Sequence, residues 1–398
     1  MRRSISFCLA GVALLTVAAA ACAQVASDGD QLPPPAVTFA DHSQSVEFEL
    51  YRGNRIVAPA RVAGHASEVI LDSGASATTL DRSYARSIGL PEGQKISGLG
   101  AGGPVEAELL TGVTVEIGGM KLEKMNVAVI DLSPIARSIG RPIHAILGRE
   151  FFNSAIVSID WTKSRLQVTA PEHFTAPLHG VALPLQRKGP FHTIPVSISG
   201  GPTVQALLDI GNGGALSLPP DYWRERSDLS KLPYAGWQLG GVGGLHGARM
   251  VSMPKVVLAG QTFEGVPAML SDTGSSDEPA QMTNVGIGLL KQFRVDLDLG
   301  HDRIYLAPRA DAPTFDHDRA GARFELSGLA LKVRFVSPQG PAAAAGLKVG
   351  DEIVAIDGRH IAADYYREPD WTRGPAGKTV ALSRADGRTL KVTLADYY

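Results

Sequence analysis

The chain has 398 residues, a length that predicts two or three domains rather than one. Hydrophobic residues make up 44% and charged residues 20%, a balance that points to a globular chain able to bury a core. A formal net charge of -2 gives no electrostatic pull toward nucleic acid or an anionic membrane, so neither is an expected partner.

The first element is a leader. Arg2 and Arg3 precede an apolar run of about fifteen residues that closes in small residues and is too short for a membrane span. Ala21-Cys22-Ala23 fits an A-x-A cleavage site, so residues 1–23 read as a signal peptide. The mature chain is then exported, periplasmic or in the cell envelope, with no transmembrane span. An alternative makes Cys22, after its run of alanines, a lipid acceptor. Both cysteines, Cys8 and Cys22, lie in this segment, so the mature chain has neither a disulfide nor a thiol nucleophile. Cysteine peptidase chemistry is excluded.

From residue 45 the chain repeats itself. "VILDSGAS" (69–76) matches "ALLDIGNG" (206–213), with Asp209 lying 137 positions after Asp72. "GLGAGG" (98–103) matches "GGVGG" (240–244). "AILGREFF", opening at 145, matches "NVGIGLLK", opening at 284, with Gly148 and Gly286 138 positions apart. Three blocks in one order at nearly one offset define a duplicated unit of about 120 residues, expected over 45–175 and 176–310. Each copy reads as β structure. "RIVAPARVAG" and "HTIPVSISGG" alternate and end at glycine, and "VTVEIGGMKLEKMNVAVI" is a hairpin about Gly118-Gly119. "VSIDWTKSRLQV" and "VDLDLGHDRIYL" are two more hairpins. Long amphipathic helical patterns are scarce, so the expected fold class is all-β, a duplicated barrel or sandwich.

Asp72 and Asp209 each end an apolar triplet and each precede a small-residue and glycine pattern. Two carboxylates brought within hydrogen-bonding reach cannot both ionise, so such a pair shares one proton. One member then polarises a water as base, and the other donates to a substrate carbonyl. The more conspicuous Asp272-Thr273-Gly274 falls opposite Asp131 of the first copy, which lacks the Thr-Gly, and only 36 positions separate it from Pro308. It reads as a polar connecting loop with turn-forming residues. Gly213 stands where "GNGGA" would need a serine nucleophile, so a Ser-His-Asp mechanism cannot run. No His-Glu-x-x-His occurs and the ten histidines are scattered, so no metal and no cofactor are expected.

The repeat resembles retroviral-type (retropepsin-like) aspartic peptidases, fused as two lobes in one chain as in pepsin-like enzymes. The resemblance rests on Leu71-Asp72-Ser73-Gly74-Ala75-Ser76, on Ile146-Leu147-Gly148, and on their counterparts around Asp209 and Gly286. It covers residues 45–310. It implies a peptidase acting on a polypeptide substrate, with an Asp72–Asp209 dyad supported by Ser73, Gly74 and Gly211. It also implies two flap hairpins carrying Gly100, Gly102 and Gly103, and Gly241, Gly243 and Gly244. Glycine runs between strands independently mark mobile loops or close backbone approach to a ligand. One departure stands out: the family places Thr or Ser after each aspartate, and the second copy has Ile210. The alternative function is a non-catalytic peptide-binding protein on a degenerate peptidase scaffold.

After Pro308, "RADAPTFDHDRAGAR" reads as a linker. Pro341 then opens a short alanine helix that Gly346 closes, and "KVGDEIVAIDG" is a turn followed by an alternating strand. Pro341-Ala342 with Ala345-Gly346-Leu347 and Gly350-Asp351 resembles a PDZ domain over residues 322–398, which implies a small β-barrel with short helices. By that resemblance Ser327, Gly328, Leu329 and Ala330 form the loop that holds a peptide's terminal carboxylate, beside a groove that accepts an added strand. Leu329 and Ala330 depart from the usual Gly-Leu-Gly-Phe.

Overall fold

A computed structural model describes residues 33–100, 103–178, 180–241, 244–278 and 281–398. The expected leader, with Cys8 and Cys22, lies outside the described residues. Among the described residues no helix is long and apolar enough to cross a membrane.

After short strands at Ala36–Phe39, Ser43–Glu47 and Glu49–Tyr51, the first unit forms β1 (Arg55–Val62) and β2 (His65–Leu71), an antiparallel pair whose alternating residues bury Ile56, Ala58, Ala60 and Val62. Next come β3 (Thr79–Asp81), β4 (Gln94–Gly100), β5 (Gly103–Ile117) and β6 (Met120–Ile130), then α1 (Ser133–Ile139), β7 (Ala145–Leu147) and α2 (Arg149–Ser154). β7 runs parallel to β2, Leu147 opposite Leu71, and antiparallel to β3. Successive residues of Val69–Leu71 and Ala145–Leu147 are all buried, so these central strands are covered on both faces, which is why the triplets are apolar without alternation. The hairpin at Gly118-Gly119 is present, and both glycines take the positive φ that its tight turn requires.

β8 (Ile156–Asp160) and β9 (Arg165–Thr169) leave the first unit as an antiparallel hairpin. The second unit then repeats the plan with β10 (Phe191–Ile198), β11 (Thr203–Asp209), β12 (Leu216–Leu218), β13 (Tyr234–Gly241), β14 (Gly244–Met253), β15 (Val266–Ser271), β16 (Asn284–Gly286) and α3 (Ile287–Leu290). β16 is parallel to β11 and antiparallel to β12, as β7 is to β2 and β3. The exit hairpin is β17 (Phe293–Asp298) with β18 (Arg303–Pro308).

The two exit hairpins join. β8 pairs antiparallel with β17, and Ser158 sits opposite Asp296, its own counterpart in the repeat. A pseudo-two-fold axis therefore passes between these residues, and one six-stranded sheet belongs to both units. Most buried apolar residues of both units form one shared cluster, with smaller ones around Val57 and Ile146 and around Phe191 and Leu207.

The C-terminal unit is a separate sheet in the order β19 (Ala322–Ser327), β20 (Ala330–Val336), β21 (Glu352–Ile356), β22 (Thr379–Arg384) and β23 (Thr389–Thr393). The short helix α4 (Pro341–Ala344) begins at its proline, and Gly346 follows it at φ 85°, as the sequence pattern requires. Leu331, Val333, Ile353, Val380, Leu382 and Val392 fill a core of its own. The architecture is mostly β throughout, as expected.

Candidate active site

Asp72 follows directly on β2, with its N–H bonded to Leu147 O at 3.0 Å. The chain turns at once: Gly74 N–H donates to Asp72 Oδ1 at 2.9 Å and Ala75 N–H to Asp72 O at 3.3 Å. Asp209, at the end of β11, is held the same way, with Asn212 N–H donating to Oδ1 at 2.9 Å and to the main-chain O at 3.3 Å. The two turns meet across the axis. A Cβ on Gly74 would lie 2.6 Å from Asp209 Cγ, and one on Gly211 would lie 2.2 Å from Asp72 Cγ. Neither position has room for a side chain, so both glycines are dictated by the approach of the opposite carboxylate.

Ser73 ties the turns together. Its hydroxyl donates to Leu208 O at 2.8 Å and accepts from Ile210 N–H at 3.1 Å, and the residue is buried. Ile210 is the reciprocal residue. It is fully buried and contributes packing alone, so the interlobe lock is built from one hydroxyl instead of two.

The carboxyls are both half-buried and share a hydrogen bond. Burial first, then the charge of Asp209 and that shared bond, push Asp72 well above the usual carboxylate range. The surroundings of the pair are unequal. Asp209 Oδ2 accepts from Asn284 Nδ2 at 2.7 Å, and Asn284 Oδ1 in turn accepts from Asn212 Nδ2 at 2.8 Å. The matching position in the first unit is Ile146, which has no amide to offer. Asn284 and Asn212 were not among the residues singled out from the sequence. The one signal for Asn284 was the polar residue that interrupts the apolar triplet before Gly286.

Both glycine-rich hairpins form. β4 and β5 pair up to Gly100 opposite Gly103, and β13 and β14 up to Gly241 opposite Gly244. Gly102 and Gly243 lie outside the described residues. Asp272 follows β15 on an open loop, 3.8 Å from the Arg224 guanidinium, with its N–H bonded to Gly247 O. It is not part of the dyad.

The C-terminal unit docks beside this site. Arg323 of β19 donates to Gln238 O in β13 and to Ser138 Oγ in α1, at 3.1 and 3.2 Å. Gln339 Oε1 accepts from Gly236 N–H at 3.0 Å, and Phe335 meets Trp237 edge-on. Tyr366 lies between β19 and the first unit. Its hydroxyl donates to Phe324 O at 3.0 Å, its ring fills the space above Gly140 at the end of α1, and Arg52 stacks on it at 4.7 Å. Arg52 also pairs with Asp370 at 2.6 Å. The expected carboxylate loop lies at the junction of β19 and β20. Ser327 and Ala330 pair with each other, so Ser327, Gly328, Leu329 and Ala330 form a two-residue turn joining β19 to β20, with Leu329 exposed. A tight turn spends its backbone groups on closing the hairpin. The edges of this sheet are β19 and β23, and Tyr366 lies against β19.

Comparison with known families gives two matches. Residues 58–151 match the model of the aspartyl protease family, and residues 332–381 match that of the PDZ domain. The chain thus carries a retropepsin-like aspartyl protease domain and a PDZ domain. No curated protein matches the chain.

Proposed function

We propose that this chain is an exported aspartic-type endopeptidase that uses Asp72 and Asp209 as one dyad to activate water, with its PDZ domain recruiting or regulating. The observation that carries the reading is the mutual approach of the two carboxyls, each filling the space left by the other lobe's glycine. The raised Asp72 makes it the proton carrier of the pair, and Asp209, fed by Asn212 and Asn284, acts as base. Asp209 takes a proton from the water as its oxygen attacks the scissile carbonyl carbon. Asp72 gives its proton to the carbonyl oxygen; the tetrahedral adduct then breaks its C–N bond as Asp209 passes the water's proton to the amine and Asp72 takes back the proton from the re-forming carbonyl. The glycine hairpins cover an extended substrate. Export rests on the basic and apolar leader at residues 1–23.

The test is cleavage of a mixed peptide library across about pH 3 to 8, since an aspartate pair that must hold a single proton works between its two ionisations. Asp72→Asn and Asp209→Asn are each expected to lower kcat/KM by roughly 10²- to 10⁴-fold. The rival reading, peptide binding without turnover, draws on the lost hydroxyl at Ile210. It gains if library peptides bind and none is cut at any pH.

A further inference from the structure

Arg55 opens β1 in the first unit, and its guanidinium crosses to the turn that carries Asp209. A Cβ on Gly213, four positions after that aspartate, would lie 1.8 Å from Arg55 Nη1 and 3.0 Å from its Cζ. The missing side chain is therefore the slot in which the cation rests. Nη1 donates to the Asn54 carbonyl at 2.9 Å, and among the described residues no carboxylate hydrogen-bonds to the group. The neighbouring cations are engaged: Arg52 with Asp370, and Arg373 with Asp316 and Asp370. An arginine cannot shed its charge in a protein, and a partly buried one without an anion is costly. Burial pulls Arg55 below the ordinary arginine range, while the charges of Asp209 and then Asp72 act the other way. The dyad therefore senses this cation without being its ion-pair partner.

The arrangement is one-sided. Arg55 has its repeat counterpart 137 positions on at His192, which is buried with Nε2 3.0 Å from Asp302 Oδ1. The second unit thus spends its equivalent group on an internal contact, and the first unit leaves its guanidinium facing the dyad turn. A planar guanidinium with most of its donors unused matches a carboxylate, which can accept two parallel bonds from it.

We propose that Arg55 binds a substrate carboxylate, so that the site prefers a peptide with Asp or Glu on one side of the scissile bond and shows no such preference on the other. The proposal rests on the peptidase reading above. Its test uses a peptide that the library identifies as cleaved, made in twin versions with Glu or Gln at each position in turn. At one position the Glu twin is expected to have a kcat/KM about 10- to 100-fold above its Gln twin, the range of a hydrogen bond to a charged group. Arg55→Gln is expected to erase that ratio; because the dyad feels this cation, the absolute rates of both twins shift together and only their ratio is read. Arg55→Lys, which keeps the charge and braces the same slot, is expected to keep part of it. Wild-type cleavage that is abolished by Asp209→Asn but gives equal rates for all twins overturns the proposal and leaves the peptidase reading intact. If no peptide is cut, the peptidase reading fails, and the carboxylate site is judged by binding alone. Twins built on a library peptide that binds then serve, and a Glu twin that binds no tighter than its Gln twin overturns it as well.

Discussion

Ser73 is the residue on which the symmetry of the site turns, because its single hydroxyl serves a donor and an acceptor in the opposite lobe. Ser73→Ala leaves Leu208 O and Ile210 N–H buried without a partner, and is expected to cost roughly 1–3 kcal/mol in urea unfolding. Asp72 acts on stability in the other direction. A carboxyl whose pKa is raised by folding contributes most below its unfolded value, and that contribution is lost as pH rises through the folded value. Asp72→Asn is therefore expected to melt above wild type near neutral pH, by a margin that shrinks as pH falls toward about 4. An equal margin across that range would mean that Asp72 does not ionise within it. Both aspartates were legible in the sequence because presenting a carboxylate from a tight turn needs an apolar strand before it and glycine after it. Asn284 was not, since its partner Asp209 is 75 positions away and only the parallel pairing of β16 with β11 brings them together.

At the scale of elements, the two glycine hairpins are alike in sequence and unlike in setting. The hairpin of β13 and β14 is held from outside: Gly236 N–H and Gln238 O bond to the C-terminal unit, and Trp237 packs on Phe335. For the β4–β5 hairpin, neither the side-chain hydrogen bonds nor the ring contacts of its described residues reach that unit. Removing the clamp with Phe335→Ala and Gln339→Ala together is expected to speed amide hydrogen exchange across residues 234–253 by at least about tenfold, leaving 94–117 unchanged. Unchanged exchange at 234–253 would mean that these contacts carry no restraint. The strands themselves were readable from alternation and glycine. The turn at Ser327–Ala330 was legible as a turn but not as a tight one: Ser-Gly promotes turns of several lengths, and only the pairing of β19 with β20 sets this one.

Across the whole molecule, the sheet edge at β19 is where the PDZ unit would take up an extended peptide, and Tyr366 already bonds to it while seated on Gly140. A peptide arriving there competes with the contact that holds the PDZ unit on the first lobe. Tyr366→Ala is expected to strengthen binding of library peptides to the full chain, measured by titration calorimetry, by about 1 kcal/mol or more, the worth of an ordinary hydrogen bond. Weaker binding would make Tyr366 part of the peptide site rather than its occupant. This arrangement could not be read from the sequence, because residues 366 and 140 belong to different units and nothing local links them.

The sheet shared by the two lobes also bears on how the chain is made. β8 has β9 on one side, but its other edge is covered only by β17, which begins at Phe293. With translation adding about 5–20 residues per second, that edge waits roughly 7–30 s for its partner to be synthesised. During that time Ile156, Val157 and Ile159 lie on a strand with one unpaired edge, the kind of template that recruits other chains. The same pairing that gives the dyad its symmetry makes the half-synthesised chain the species most in need of a chaperone.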